Sequence, residues 1–515
     1  MTTYIFNQDW EVCQLDDLLC YVIGGDWGKE PDHEDENYEL VACIRGAEFK
    51  NWKNDTGATA VSRKIKRSSL ENRNLQPGDI LIEISGGGPE QPVGRTVLIT
   101  EHVLKKFETD VVGTNFLRLA RPYNQVSSKY LNYFLTYFYI SGQVVHYQGG
   151  SNNLRNLKFK EYSAIEVPFA SFYEQKEIAD RLDILLAQVE ATQARLARIP
   201  DIIKRFRQSV LAAAVSGNLT EEWRENNIIT TANDFVERAI QERKNAGIKE
   251  SKHSKKARVD EKAFDIPNSW GWYRLGCLAL KITDGAHNTP KVLDSGFPYV
   301  MAKDLTGGKL DFSENRFISE KDHRELHSKC MPEIDDLLIV NIGAGTGNNV
   351  LINTNMEFSF KNIAIIKRPS FILGKYLKIF FDSQKQRIFD EQTKGGAQPF
   401  LSLTVLNDIA FALPQITEQT EIVRRVEQLF AYADTIEQQA KAAKERVDNL
   451  TQAILAKAFR GELTLEWRAA NPDLISGDNS AEALLARIQA ERATAKPRKR
   501  ASKPAISPTS SGVTQ

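Results

Sequence analysis

Residues 205–224 read RFRQSVLAAAVSGNLTEEWR, and residues 447–468 read VDNLTQAILAKAFRGELTLEWR. Gly217 and Gly461 align at an offset of 244 positions. In both copies an apolar helical face runs into the glycine, then Leu-Thr, then Glu222-Trp223-Arg224 or Glu466-Trp467-Arg468. A period of that length is far beyond a solenoid unit, so the chain is built as two fused copies of a whole domain with a helical appendage.

Upstream of the first copy the apolar residues alternate four and three apart, the a/d seam of helices that pack along their length. That seam runs through Ile178, Leu182, Leu185, Val189, Thr192, Leu196, Ile199, Ile203, Phe206, Val210 and Ala213. Pro200 interrupts it and predicts a kink or two abutting helices. The second seam, Ile422, Val426, Leu429, Ala433, Ile436, Ala440, Ala443, Val447, Leu450 and Ile454, carries no proline and reads as one clean helix. Two such stripes in one chain are expected to bury each other as an antiparallel coiled coil with pseudo-two-fold symmetry, with a globular domain at either end. The fold class is therefore α/β (α+β), with two tandem domains each followed by a long helix.

The rest of the chain repeats in step. Trp10 and Leu15 correspond to Trp270 and Leu275, Asp79-Ile80-Leu81-Ile82 to Asp336-Leu337-Leu338-Ile339, and Lys129-Tyr130-Leu131 to Lys375-Tyr376-Leu377. The offset drifts within the globular parts, where loops tolerate insertion, and stays constant along the helices, where length matters. The expected parts are a first domain at 1–168, a helical region at 169–224, a basic linker at 225–262, a second domain at 263–412 and a second helical region at 413–470. Residues 471–515 hold a helical echo of 232–243 at 481–492 and a basic tail expected to be disordered. Residues 129–140, KYLNYFLTYFYI, predict a buried helix, and 80–84 a strand after the turn Gln76-Pro77-Gly78-Asp79.

The 515 residues hold 67 basic and 67 acidic side chains, which argues against a protein that coats nucleic acid non-specifically. Local basic surface is available at 63–67, at 249–262 and at 496–500, though each reads first as a solvated face or linker. The acidic run 30–39 is expected to face away from phosphate or to touch a partner. Cys13, Cys20, Cys43, Cys277 and Cys330 form no CxxC pair and read as reduced structural thiols. No long uncharged apolar run and no signal-like start is present, so the expectation is a cytoplasmic protein without membrane contact.

The sequence carries no recognisable catalytic motif. Gly24 to Lys29 has the wrong spacing for a phosphate loop, and Gly343-Ala344-Gly345-Thr346-Gly347 lacks the GxGxxG spacing of a dinucleotide site. His323 and His327 with Cys330 read as surface histidines rather than metal ligands, since HExxH order and a fourth ligand are missing. No base-flipping (N/D)PPY motif and no nuclease carboxylate pair can be assembled. Neither catalytic nor metal residues are assigned.

The arrangement of domain, Pro-x-x-x-Glu-Gln helix, domain and Pro-x-x-x-Glu-Gln helix resembles the specificity subunit of type I restriction-modification systems over residues 1–470. The resemblance rests on Trp270 with Leu275, Asp284-Gly285-Ala286-His287, the element 77–82 and Pro414-Gln415-Ile416-Thr417-Glu418-Gln419. The first copy, Pro168 to Glu174-Gln175, is two residues longer, and the helix ends are most similar to the subclass called IA. The resemblance implies a non-catalytic DNA-binding subunit whose two target recognition domains each read one half of a bipartite, asymmetric duplex site in host defence. It also implies helices that set the spacer and dock two methyltransferase subunits, which use S-adenosylmethionine for adenine-N6 DNA methylation. Motor and nuclease subunits with ATP and Mg would then complete restriction, and this chain itself would bind no cofactor. Base readers are expected at Lys64, Lys66, Arg67, Ser85, Arg95, Gln148, Ser151, Asn152, Asn153 and Arg155 in the first domain. In the second they are His287, Asn288, Lys291, Lys303, Asn341, Asn348, Lys394 and Gln398. Rival readings are a tandem-repeat coiled-coil scaffold and a stand-alone DNA-modifying enzyme without recognisable motifs.

Overall fold

A computed structural model describes residues 7, 10–88, 91–151, 154–227, 234–249, 262–286, 290–314, 316–342, 345–392 and 400–494. The chain divides into two compact units, Met1–Leu196 with Ala443–Gln515, and Ala197–Ala442. The cut falls within the helical regions, not between the two sequence repeats.

The first unit carries β1 (Glu11–Gln14), β2 (Leu19–Gly24), β3 (Tyr38–Ile44), β4 (Val61–Lys66), β5 (Ile80–Glu83), β6 (Ser85–Gly86), β7 (Thr96–Leu98), β8 (Val111–Gly113), β9 (Leu117–Pro122), β10 (Gln148–Ser151), β11 (Leu154–Leu157) and β12 (Glu166–Phe169). They form a four-stranded sheet β2-β9-β5-β7, three-stranded sheets β4-β3-β8 and β10-β11-β6, and the pair β1-β12. β5 is buried along its whole length because both faces are covered, which is why its sequence is a continuous apolar run rather than an alternating one. Ile80 and Ile82 face one core with Tyr130 and Phe134, while Leu81 faces another with Ile44 and Val97.

The second unit carries β13 (Gly271–Arg274), β14 (Lys281–Asp284), β15 (Phe297–Val300), β16 (Arg316–Ile318), β17 (Leu337–Val340), β18 (Asn349–Leu351), β19 (Ser359–Phe360), β20 (Ile363–Lys367) and β21 (Ala410–Leu413). The sheet β14-β20-β17-β18 repeats β2-β9-β5-β7, β16-β15-β19 repeats β4-β3-β8, and β13-β21 repeats β1-β12. Even strand directions agree, since β3 runs parallel to β8 and β15 parallel to β19. A buried ion pair recurs with them. Asp79, in the turn before β5, accepts two hydrogen bonds from Arg121 of β9, and Asp336, before β17, pairs with Lys367 of β20 at 2.8 Å.

The residues 129–140 lie in a helix, Ser128–Ile140, with Tyr130, Leu131, Phe134, Leu135 and Phe138 buried and the Ser127 hydroxyl capping its start. The first helical region is two abutting helices, Phe172–Ala197 and Ile199–Ser216, with Pro200 in the opening turn of the second. The second region, expected as one helix, also divides, into Ile416–Asp448 and Leu450–Phe459 about Asn449. Within each unit the helices run antiparallel. In the first, Arg181 meets Leu463 and Gln193 meets Asp448; in the second, Arg207 meets Asp434 and Leu219 meets Arg425.

Of the expected pairing residues, Ile178, Leu182, Val189, Val210, Ile422 and Val426 are buried. Leu185, Leu196, Phe206, Leu429, Ile436, Val447 and Ile454 are half-buried. Leu450 is a correction: it follows the break at Asn449 and is 42% exposed. Leu186, one residue past the expected Leu185, is the more deeply buried, because a 3.6-residue helix drifts off a strict 3.5-residue seam.

The segment expected to be a basic linker holds a docked helix, and the helical echo expected at 481–492 is docked as well. Phe235–Asn245 buries Phe235, Ala239 and Arg243, and the Arg243 guanidinium donates to the carbonyls of Gly276, Cys277 and Ala279 at the end of the helix Leu275–Leu278. Ala481–Thr494 buries Leu484 and Ile488 in the first unit, and Arg492 binds Asp16 and Asp17 beside the matching turn Leu15–Leu18. The spacing i, i+4, i+8 places each trio on one helical face, so short polar-looking stretches still bury a stripe. The basic clusters at 250–261 and 495–515 lie outside the described residues. Ile488 is fully buried, so Ile488→Ala is expected to destabilise the first unit by about 2–5 kcal/mol. Hydrogen exchange resolved by segment should show faster opening in the first unit and none in the second.

Candidate nucleic-acid interface

Each unit is closed by one buried carboxylate. In the first, Glu174 is 1% exposed and accepts from the Trp10 indole N–H at 3.0 Å, the Thr464 hydroxyl at 2.7 Å and the Arg468 guanidinium at 2.7 Å. In the second, Glu418 is fully buried and accepts from Trp270 at 2.9 Å, Thr220 at 2.7 Å and Arg224 at 2.6 Å. The neighbouring amides act alike. Gln175 joins the Ser127 N–H to the Ala170 carbonyl, and Gln419 joins the Leu373 N–H to the carbonyls of Phe371 and Pro414. The Glu-Gln of one helix start is thus met by the Thr and Glu-Trp-Arg that end the other helical region. Sequence reading flagged both motifs but missed that they belong to one site.

Gly217 and Gly461 end the helices with positive φ, 81° and 75°. A Cβ at Gly217 would meet Pro267 at 2.6 Å, and one at Gly461 would meet Asn7 at 2.9 Å, so the turn also lets the chain leading to Trp270 or Trp10 pass close by.

On this frame the basic strand β4 presents Lys64 and Lys66, and Arg67 opens the helix Arg67–Arg73. Lys66 and Arg67 are exposed, while Lys64 is half-buried and bridged through its backbone to Lys29. The acidic run, expected to face away from phosphate or to touch a partner, lies against this strand and the start of the following helix: Glu39 pairs with Arg67 at 2.8 Å, and Glu30 with Arg63, whose guanidinium lies 4.2 Å from the Trp27 ring centroid. Ser85, Gln148, Ser151 and Arg155, from stretches about sixty residues apart, come together in the sheet β10-β11-β6, where Arg155 pairs with both Gly86 and Gly150. Gly25 at the end of β2, and its counterpart Gly285, pass so near β8 and β19 that a Cβ would meet a carbonyl oxygen at 2.1 Å. This explains the glycine in Asp284-Gly285-Ala286.

Two expected readers are engaged by the fold. Arg95, half-buried, is held by Glu83 at 2.6 Å and by the Gly46 carbonyl, and Asn341 is 1% exposed at the end of β17. Asn348, in the following turn, accepts from Lys385 at 2.5 Å. Lys291 and Lys303 are exposed, with Lys303 near Glu314 at 3.7 Å. Asn152, Asn153, His287, Asn288, Lys394 and Gln398 lie outside the described residues.

His323 is a correction to the surface reading. It is 1% exposed, stacks on Phe297 at 4.0 Å and sits between Ser359 and Glu357, and burial lowers its pKa. Burial pushes the Cys13 and Cys43 thiols up to about 12, outside the range of reactive thiolates. Among the described residues no cluster of three or more His, Cys, Asp or Glu side chains could hold a metal, and no helix is long and apolar enough to cross a membrane.

A duplicated mixed-sheet framework, closed by paired helices and carrying basic and amide side chains on strands and turns, defines a class of two-headed nucleic-acid readers. The comparisons name it more closely. The family described as "Type I restriction modification DNA specificity domain" matches residues 7–201 and 270–445, and the chain belongs to this family. It is 32% identical over 496 residues to the type I restriction enzyme EcoKI specificity subunit of Escherichia coli (strain K12), covering 94% of this chain and 96% of that one. The StySPI specificity subunit of Salmonella potsdam matches to the same extent, and the EcoBI subunit of Escherichia coli is 39% identical over 349 residues, 67% of this chain and 68% of its own. The fold is similar to the crystal structure of the HsdS subunit from Thermoanaerobacter tengcongensis, with a TM-score of 0.56 at 14% identity over 90% of this chain and 99% of that one.

The pairing of Glu30 with Arg63 of the basic strand and of Glu39 with Arg67 just after it predicts an effect on salt dependence. Neutralising both, Glu30→Gln with Glu39→Gln, should strengthen non-specific duplex binding and steepen the slope of log K against log salt by roughly one to two. Titration at several salt concentrations measures this directly.

Proposed function

We propose that this chain is the sequence-reading, non-catalytic component of a type I restriction-modification complex. Each globular domain reads one half of a split, asymmetric duplex site, and the helical regions set the gap between the halves. The helix Phe172–Ala197 is 26 residues long, or roughly 39 Å, of the order of a DNA turn of about 34 Å. Two methyltransferase subunits dock on the helices and supply S-adenosylmethionine chemistry at adenine N6. Motor and nuclease subunits join through them with ATP and Mg.

The observation that carries this reading is the repetition itself. The two units share sheet register, buried ion pair and carboxylate closure, while the side chains on their basic strands and turns differ. A common frame with different surfaces suits two readers of unlike half-sites, whereas a true symmetric dimer would read a palindrome. A coiled-coil scaffold would have no use for two such domains. In the first domain the proposed contacts are Lys64, Lys66, Arg67, Ser85, Gln148 and Arg155; in the second they are Lys291, Lys303 and Asn348. Phosphate contacts fix register and base edges give sequence.

Exchanging residues 1–168 for the matching domain of another specificity subunit should change one half of the methylated motif and leave the other half and the gap intact. Methylation-sensitive sequencing of cellular DNA reads this out. A change in both halves would contradict the division of labour.

A further inference from the structure

We propose that Arg118 is a base-reading residue of the first domain, its guanidinium donating to the major-groove edge of a guanine in that domain's half-site; this rests on the DNA-reading function proposed above. Arg118 lies in β9, paired with Ile82 of β5 and Gly24 of β2. A Cβ at Gly24 would meet nothing within 4 Å, so the strand neighbour on that side leaves open space. Ile84 and Ser85 both donate to the Phe116 carbonyl, and Leu157 donates to the Ile84 carbonyl. Arg118 therefore sits two residues from the root of the sheet that carries Ser85, Gln148 and Arg155.

Its neighbours are matched with carboxylates, Arg95 with Glu83 and Arg121 with Asp79. Arg118 is not. Among the described residues no acceptor meets its side chain, and its Nε is buried. The guanidinium carbon lies 4.3 Å from the centroid of the Phe159 ring, just past β11. Burial shifts its pKa downward, as expected for a half-buried cation with no anion beside it among the described residues. A desolvated, uncompensated arginine is costly to the fold alone and is completed by an outside acceptor. Stacking on Phe159 fixes the plane of the fork, and a planar two-donor fork rooted on a strand matches the O6 and N7 acceptors of guanine.

The second unit shows that the frame does not require this arginine. There the residue in register is Ala364, paired with Ile339 of β17 and with Asp284 of β14. The two readers diverge in polarity at a position where their backbones agree.

The test uses the whole system in cells, with Arg118→Lys, Arg118→Gln and Phe159→Leu, read by methylation-sensitive sequencing. The half-site of the first domain is identified by domain exchange. Each Arg118 variant is expected to relax discrimination at one G·C pair of that half by roughly 5- to 150-fold. The second half should stay intact, which reports a folded, assembled protein. Phe159→Leu is expected to give a smaller relaxation at the same pair. An unchanged motif at full methylation would overturn the inference, as would uniform weakening at every site with the sequence unchanged, the mark of a phosphate contact. If an Arg118 variant abolishes methylation altogether, Phe159→Leu decides: relaxation at one pair supports the inference and an unchanged motif overturns it. A wild-type motif that is not bipartite would instead refute the functional reading beneath it.

Discussion

A carboxylate removed from water is costly unless every lone pair finds a donor, and this constraint sits at the centre of both units. Glu174 and Glu418 each collect an indole, a hydroxyl and a guanidinium. The indole comes from the start of a reading domain, the carboxylate from the helix that leaves it, and the hydroxyl and guanidinium from the end of the other helical region. One buried charge therefore registers three segments against each other. Around it pack the aromatic residues of the helix Ser128–Ile140, where Phe459 lies within 5.4 Å of Tyr130 and 5.3 Å of Phe134.

This closure explains why helix length is held while loops drift. An inserted residue in a helical region would move Thr464 and Arg468, or Thr220 and Arg224, off their carboxylate. An inserted residue in a turn of the reading domain moves nothing that the clamp needs. The side chains on the strands and turns are then free to differ between the units, as Arg118 and Ala364 do, on one conserved register of backbone.

The duplication, the buried strands and the helical seams were legible in the amino-acid sequence because periodicity and repeat offset report them directly. The partner of each motif was not, since two identical copies offer the Glu-Trp-Arg of 222–224 and that of 466–468 equally to Glu174. The contacts remove the ambiguity: Glu174 meets Thr464 and Arg468, and Glu418 meets Thr220 and Arg224. Likewise the meeting of Ser85 with Arg155's strand, and of Glu39 with Arg67, depends on sheet register that local pattern does not encode. Arg95 and Asn341 look like loop-level readers in sequence because polarity says nothing about which face of a strand end turns inward. Arg118 escaped notice for the converse reason, as one of two arginines in a short strand that otherwise reads as apolar.

The central claim is that each unit is closed by the helix end of the opposite repeat. Double-mutant cycles on the full chain, with Glu174→Gln and Glu418→Gln combined in turn with Arg468→Met and Arg224→Met, measure it directly. The account predicts coupling of about 1.5–3 kcal/mol for Glu174 with Arg468 and for Glu418 with Arg224, and additivity for the two crossed combinations. Coupling of Glu174 with Arg224, or additivity of Glu174 with Arg468, would contradict it.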